Sequence, residues 1–197
     1  MKLALKDKHL TLRSGEKITI RPLVPKDARA LLTFYRALPE EDRLFLDDDV
    51  TKNEWVDRFL GRVDYDTLVP LVAEYKDSIE GHAMLIRTHY GWMSHVGQLR
   101  VAVSRPFQRK GVGTALIREI MKIAVGFGLE KMTARLMDNQ VGARKAFERL
   151  GFKVEATFRR FVKDTTGRRR NMLVMANDVS HIWQAMDTLV SDMPTTR

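Results

Sequence analysis

The chain of 197 residues contains no cysteine. Disulfides, a thiol nucleophile and thiolate metal ligands are thereby excluded. Its five histidines (His9, His82, His89, His95, His181) form no His-x-x-x-His pair, so no metal site is expected. No apolar run approaches the ~18–20 residues of a membrane span. The charged start Met1-Lys2-Leu3-Ala4-Leu5-Lys6-Asp7 is unlike a secretory signal. No membrane partner is expected, and a cytoplasmic location is the default. Neither Gly-x-x-x-x-Gly-Lys-Ser/Thr nor Gly-x-Gly-x-x-Gly occurs, which removes the commonest nucleoside-triphosphate and dinucleotide loops. Repeats, low-complexity tracts and Pro/Gly/Ser-rich linkers are missing too, and the length suits a single domain over residues 1–197.

Acidic residues are in deficit: 25 against 34 basic ones, a formal charge of +9. Such a balance attracts nucleic acid, acidic lipid or a polyphosphate ligand. No nucleic-acid module signature accompanies it, so nucleic acid is not an expected partner. The cluster Arg159, Arg160, Lys163, Arg168, Arg169 and Arg170 flanks the turn Asp164-Thr165-Thr166-Gly167 and reads as the solvated faces of a hairpin. The 44% hydrophobic and 30% charged content is that of an ordinary globular protein.

What the chain does have is concentrated in Val101 to Thr114, which reads V-A-V-S-R-P-F-Q-R-K-G-V-G-T. A short apolar strand, Val101-Ala102-Val103, runs into a loop ending in two glycines. A helical pattern comes at once after it, with Val112, Leu116, Ile120 and Ala124 four apart and Ile117 and Met121 widening the stripe. A Gly-rich turn opening a helix presents unpaired N–H groups at the positive end of the helix dipole. Phosphate or pyrophosphate binds there, since glycine lets the backbone come close to the oxygens. Two glycines before a helix also occur in ordinary strand-to-helix turns, so the pattern gains weight only with a second signal.

The segment Gln108-Arg109-Lys110-Gly111-Val112-Gly113 resembles the Gln/Arg-x-x-Gly-x-Gly/Ala signature of the GNAT acetyltransferases. A second block, Gln140 to Phe152 (Q-V-G-A-R-K-A-F-E-R-L-G-F), is similar to the family's downstream segment, with Ala143, Phe147, Gly151 and Phe152 in register. The resemblance covers about Lys17 to Asp178, with 1–16 as an added N-terminal hairpin and 179–197 as a C-terminal helix and tail. It is loosely similar to the bacterial and archaeal protein-lysine branch through Leu38-Pro39-Glu40-Glu41-Asp42-Arg43. It implies acetyl-CoA as cosubstrate and a cofactor site of Val101, Ala102, Val103, Gln108, Arg109, Lys110, Gly111, Val112, Gly113, Thr114, Asn139, Gln140, Arg144 and Phe147. It also implies transfer of the acetyl group to a primary amine, on a protein lysine or a small molecule, by direct attack in a ternary complex. The alternative is an acyl-CoA-binding regulatory module with little or no turnover. Either a monomer or a homodimer is compatible.

The residue order agrees with the α/β class. Leu10-Thr11-Leu12 and Ile18-Thr19-Ile20 alternate around Ser14-Gly15 as a hairpin. Pro25 and Asp27 open a helix carrying Ala28, Leu31, Leu32, Tyr35 and Leu38. Thr51 with Glu54 forms a capping-box pattern ahead of Trp55 and Val56. Strands are expected near Leu68–Tyr75, Ile79–His89, His95–Val103 and Met132–Met137, the helix through Ala146 stops at Gly151, and Phe152–Phe158 with Met172–Ala176 make a last hairpin. Tight hairpins give antiparallel pairs and helical crossovers parallel ones, hence a mixed sheet flanked by helices. The resemblance adds that the sheet is splayed between His95–Val103 and Met132–Met137. Val179, Ile182, Trp183, Met186, Leu189 and Val190 suggest an amphipathic C-terminal helix.

Two positions depart from the family. Gln98 stands where many relatives carry a glutamate base, and a glutamine accepts no proton at neutral pH. Phe147 replaces the usual tyrosine acid. The remaining candidates for a base are Glu74 and His95, the latter by its intrinsic pKa. Tyr75 and Tyr90 carry hydroxyls. Asp47-Asp48-Asp49 lies between two helices and is either a solvated loop or a field for a cationic amine.

Overall fold

A computed structural model describes residues 5–46 and 48–179. Eight strands form one sheet: β1 (Lys8–Thr11), β2 (Lys17–Pro22), β3 (Leu68–Tyr75), β4 (Ser78–Ile86), β5 (Val96–Val103), β6 (Lys131–Met137), β7 (Lys153–Lys163) and β8 (Arg169–Asp178). Four helices accompany them: α1 (Ala28–Ala37), α2 (Asn53–Leu60), α3 (Val112–Gly126) and α4 (Val141–Arg149). The strand order is β1-β2-β3-β4-β5-β6-β8-β7, and β5–β6 is the parallel pair in an otherwise antiparallel ladder. The crossover through α3 makes β5–β6 parallel, while β1–β2, β3–β4, β4–β5 and β7–β8 are consecutive strands that turn back on each other. None of the described helices is long and apolar enough to cross a membrane.

The two faces of the sheet make two cores. Val69, Leu71, Ala73, Leu85 and Leu99 pack with Val112, Leu116, Ile117, Ile120 and Ala124 of α3. Val72, Met84 and Ala102 face the other way, onto Leu31, Phe34 and Tyr35 of α1 and Trp55, Val56 and Phe59 of α2. β3 is buried on both faces over its first six residues, which is why it reads as a continuous apolar run rather than an alternation. Burial at ~25 cal/mol per Å² makes these two layers the main source of stability.

Glycine sets the closest approaches. A Cβ at Gly81 would stand 2.8 Å from a Leu116 methyl, so the helix α3 rests directly on the backbone of β4. At Gly97 it would meet the Met132 sulfur at 2.5 Å and the Leu85 and Leu129 methyls at 2.8 and 2.9 Å.

Several expectations shift. Pro25–Asp27 is a short 3-10 turn ahead of α1, closed by the Asp27 carboxylate accepting from the Val24 N–H at 2.9 Å. Thr51 does not cap α2: its hydroxyl donates to Asp49 at 2.6 Å, and the N-cap is Lys52 without a side-chain bond. β4 ends at Ile86 because the Arg87 N–H turns to the Thr67 carbonyl at 2.9 Å. The last hairpin runs longer than its alternation suggested. Gly151, at φ +83°, ends α4 as expected. Ile182, Trp183, Met186, Leu189 and Val190 lie outside the described residues, as does Asp47.

Candidate active site

β5 and β6 are paired only at their feet: Val96 with Lys131, Gly97 with Met132 and Gln98 with Thr133. Beyond Gln98 the strands part. Alternate backbone groups from Leu99 to Val103 therefore face a wedge instead of a ladder. On its other side β5 stays paired with β4 up to Val103. At the open end of this wedge the chain makes a 3-10 turn, Arg105–Phe107, and then the loop that starts α3.

The loop leaves backbone N–H groups open at the start of α3. Arg109 and Gly111 both have left-handed backbone, φ +61° and +96°; glycine does this at no steric cost. The first helical bond runs from the Ala115 N–H to the Gly111 carbonyl at 2.9 Å. The N–H groups of Val112, Gly113 and Thr114 precede any intrahelical acceptor. A Cβ at Gly113 would touch only a Val103 methyl at 3.5 Å, so the fold itself does not demand glycine there. The Gln108 side chain folds back to the Val103 carbonyl at 3.1 Å, fixing loop to strand. Lys110 is held by Glu16 of the N-terminal hairpin, and Arg105 by Glu41 and Asp42. The Lys110 ammonium pulls the Glu16 carboxyl down to about 2. Among the described residues Arg109 and Lys145 pair with no carboxylate, whereas Arg144 pairs with Glu148 at 2.8 Å.

The second block reaches the same end of the sheet, because β6 runs parallel to β5. Asn139 is exposed at its tip. Gln140 caps the turn, its side-chain oxygen accepting from the Met137 N–H at 2.9 Å and its carbonyl from the Arg144 N–H at 3.0 Å. Phe147 is 1% exposed and packs edge-on against Phe152, with ring centres 5.0 Å apart. Val101–Val103, Gln108–Thr114 and the start of the 139–147 segment thus lie at the same end of the sheet.

The two candidate bases lie at opposite ends of the sheet, Glu74 at the loop's end and His95 away from it. Glu74 sits on β3 opposite Thr19, and its carboxylate is held by the Arg21 guanidinium (Nε donor at 2.8 Å), which also binds Asp27. His95 precedes the foot of β5, its carbonyl taken by the Glu130 and Lys131 N–H groups at 2.9 and 3.2 Å. At ~3.3 Å per residue it stands roughly 25 Å from Val103, at the wrong end of the strand. A buried group that spacing did not flag is His82 on β4, opposite Ala102 and 1% exposed. Its Nδ1 is 2.6 Å from the Tyr35 hydroxyl, and burial pushes the imidazole down to about 3. Nothing in the sequence around it distinguishes a core histidine from a surface one.

Gln98 opens the wedge. With its amide oxygen turned toward Arg135 of β6 it accepts from Nη2 and Nε at 2.8 and 3.0 Å. It lines a cavity of about 90 Å³ together with Arg100, Arg135, Lys163 and the apolar Leu44, Phe45, Leu136, Met137, Val162 and Met172. A larger cavity, about 340 Å³, lies between Leu5–Lys8 and α3 and touches no residue of the loop.

The sheet thus splits beside a glycine-opened helix, with a side-chain cavity between the two leaves. The chain belongs to the Acetyltransferase (GNAT) family, whose family model matches residues 30–152, and acetyl-CoA is the cosubstrate of that family. It is 23% identical over 152 residues to Acetyltransferase Pat of Mycolicibacterium smegmatis, covering 71% of this chain and 42% of the relative. The chain therefore spans about two fifths of that protein's length. Among solved structures, the GNAT domain of S. lividans PAT superposes with a TM-score of 0.72 at 20% identity, over 87% of this chain and 96% of that one. The Salmonella typhimurium protein yncA, solved with its cofactor acetyl-CoA, gives 0.71 at 21% identity over 82% and 94%. At such identities the likeness establishes the fold.

Proposed function

We propose that the chain transfers an acetyl group from acetyl-CoA to a primary amine by direct attack within a ternary complex. The observation that carries this reading is the loop Gln108–Thr114, which opens α3 at the mouth of the β5–β6 wedge. The N–H groups of Val112, Gly113 and Thr114, with the left-handed turn at Gly111, suit a pyrophosphate. Arg109 adds a cation beside it. Acetyl-CoA, when bound, supplies an activated thioester. A backbone N–H of Val101–Val103, unpaired on the β6 side, is aimed into the wedge and suits a developing oxyanion. Asn139, Gln140 and Arg144 stand at the same end of the sheet, with Phe147 buried behind them.

Proton handling is the unusual part. Gln98 cannot serve as a base and Phe147 has no proton to give. Glu74 is engaged by Arg21, and His95 lies at the far end of β5. Catalysis then rests on positioning a neutral amine beside the thioester, which by itself supplies a large share of such accelerations. The absence of a base and an acid at these positions also favours a second reading, an acyl-CoA-binding module without turnover. Steady-state CoA release with a panel of small amines and lysine peptides separates the two. Release with at least one amine supports transfer, and acetyl-CoA binding without release for any of them supports the module.

A further inference from the structure

The cavity between the two leaves has a charge that says something about its guest. Its polar lining comes from Gln98 and Arg100 on β5, Arg135 on β6 and Lys163 on β7. No carboxylate lines it among the described residues. Arg100 donates to the Leu46 carbonyl at 2.9 Å and is a braced part of the wall. Arg135 is different: its polar partner is the neutral Gln98 amide, which takes two of the guanidinium's five N–H donors. Lys163 forms no ion pair among the described residues. It reaches the cavity because β7 is bulged between Phe158 and Val162, with Arg160 at φ +51° and its N–H tied to the Asn171 side chain at 2.9 Å. A bulge bends its strand and re-aims the side chains beyond it.

A cationic amine entering here meets like charge, and the described lining offers no carboxylate to bind its ammonium. An anionic group finds Arg135 with donors to spare and a second cation at Lys163. The rest of the wall is apolar, with Leu44, Phe45, Met137 and Met172 around it. Gln98 and Arg100 point to the same face of β5 as Ala102, and Ala102 lies one to two alternations (~7–13 Å) further up, beside the proposed thioester position.

We propose that the wedge binds a small primary amine carrying a carboxylate and an apolar side chain, that is, an apolar amino acid, with Arg135 as the residue that recognises the carboxylate. This rests on the acetyltransferase reading for the fate of the amine but not for its binding. Calorimetric titration of the CoA-loaded protein with L-leucine and with 3-methylbutylamine, which differ only by the carboxylate, tests it directly. Leucine is expected to bind and the bare amine to bind far more weakly. Arg135→Gln should weaken leucine roughly ten- to a hundredfold, the range of a lost charge-assisted hydrogen bond. Gln98→Glu places a carboxylate on the Arg135 guanidinium and should weaken leucine as well while improving the bare amine. Equal binding of the two probes, binding of neither, or unchanged affinity in both variants overturns the proposal. Leucine binding without CoA release leaves it standing and removes the transfer reading. CoA release with a lysine peptide, with no leucine binding, does the reverse.

Discussion

The buried pair Tyr35–His82 makes the fold sensitive to mild acid, and the size of the effect can be worked out. His82 is fully enclosed under α1 and α2, among Tyr35, Trp55 and Phe59, and its folded-state pKa is about 3. In the unfolded chain it titrates near ~6.5. The depressed value means the folded state holds it neutral, so its stabilisation is complete above the unfolded value and is lost as pH falls toward the folded one. Each pH unit in that window costs about 1.4 kcal/mol, so bringing the protein from pH 7.5 to 5 removes about 2 kcal/mol. For a chain of this size that is a fall of about 4–8 °C in melting temperature. Carboxylates held low by their partners, Asp27 by Arg21 and Asp164 by Thr166 and Arg170, act in the same direction. They titrate in the unfolded chain near ~4, so their loss falls below this window. The double variant Tyr35→Phe/His82→Leu replaces both partners with apolar groups, a change that is often nearly neutral in itself. Urea melts of both proteins at pH 7.5 and 5 should show the parent losing about 2 kcal/mol more than the variant. Parallel losses in the two proteins would refute the argument.

Other outcomes concern the loop and the wedge. Gly113→Val should fold, since its Cβ meets only a Val103 methyl at 3.5 Å, yet lower CoA affinity by roughly tenfold or more in calorimetry; unchanged affinity would sink the assignment. If no base operates, the rate of CoA release should keep rising with pH toward the acceptor's own pKa. A plateau abolished by His95→Gln or by Glu74→Gln would contradict the positioning model. Phe147→Tyr keeps a ring that is 1% exposed and adds one hydroxyl, so turnover should hold or rise, and a fall would show that the core, not the acid, governs this position. Random duplex DNA should bind weakly at physiological salt; tight binding with a steep salt slope, relieved by changing Arg168, Arg169 and Arg170 to Ser, would reassign the basic hairpin.

Much of the architecture was legible because it depends on local pattern. Alternation marked the strands, the four-residue spacing of Val112, Leu116, Ile120 and Ala124 marked α3, and Gly111 and Gly151 marked where helices begin and end. The cofactor loop was legible for the same reason, being contiguous. What escaped was what tertiary contact decides. Thr51 has two possible partners, and only the fold chooses Asp49 over a helix N–H. Glu74 looked free until Arg21, 53 residues away in sequence, was brought onto it. His95 sits one residue before a strand whose far end carries the loop, and spacing alone does not say which end of a strand a ligand visits. The cationic lining of the wedge comes from β5, β6 and β7, and the neighbourhood of Arg135 and Lys163 exists only once the sheet is assembled.

The three-residue foot between β5 and β6 makes the molecule a book with a short spine. One cover is β1 to β5 with α1 and α2, the other is β6, β8 and β7, and Gly97 is where the binding is tightest, closed on the Met132 sulfur. Backbone hydrogen bonds near the spine should exchange slowly, while the parted upper strands lend each other no protection. A guest lying between the covers adds the stitches that the pages lack. Ligand occupancy should therefore slow amide exchange in Leu99–Val103 and in Ala134–Met137 together, even where only one of them is touched.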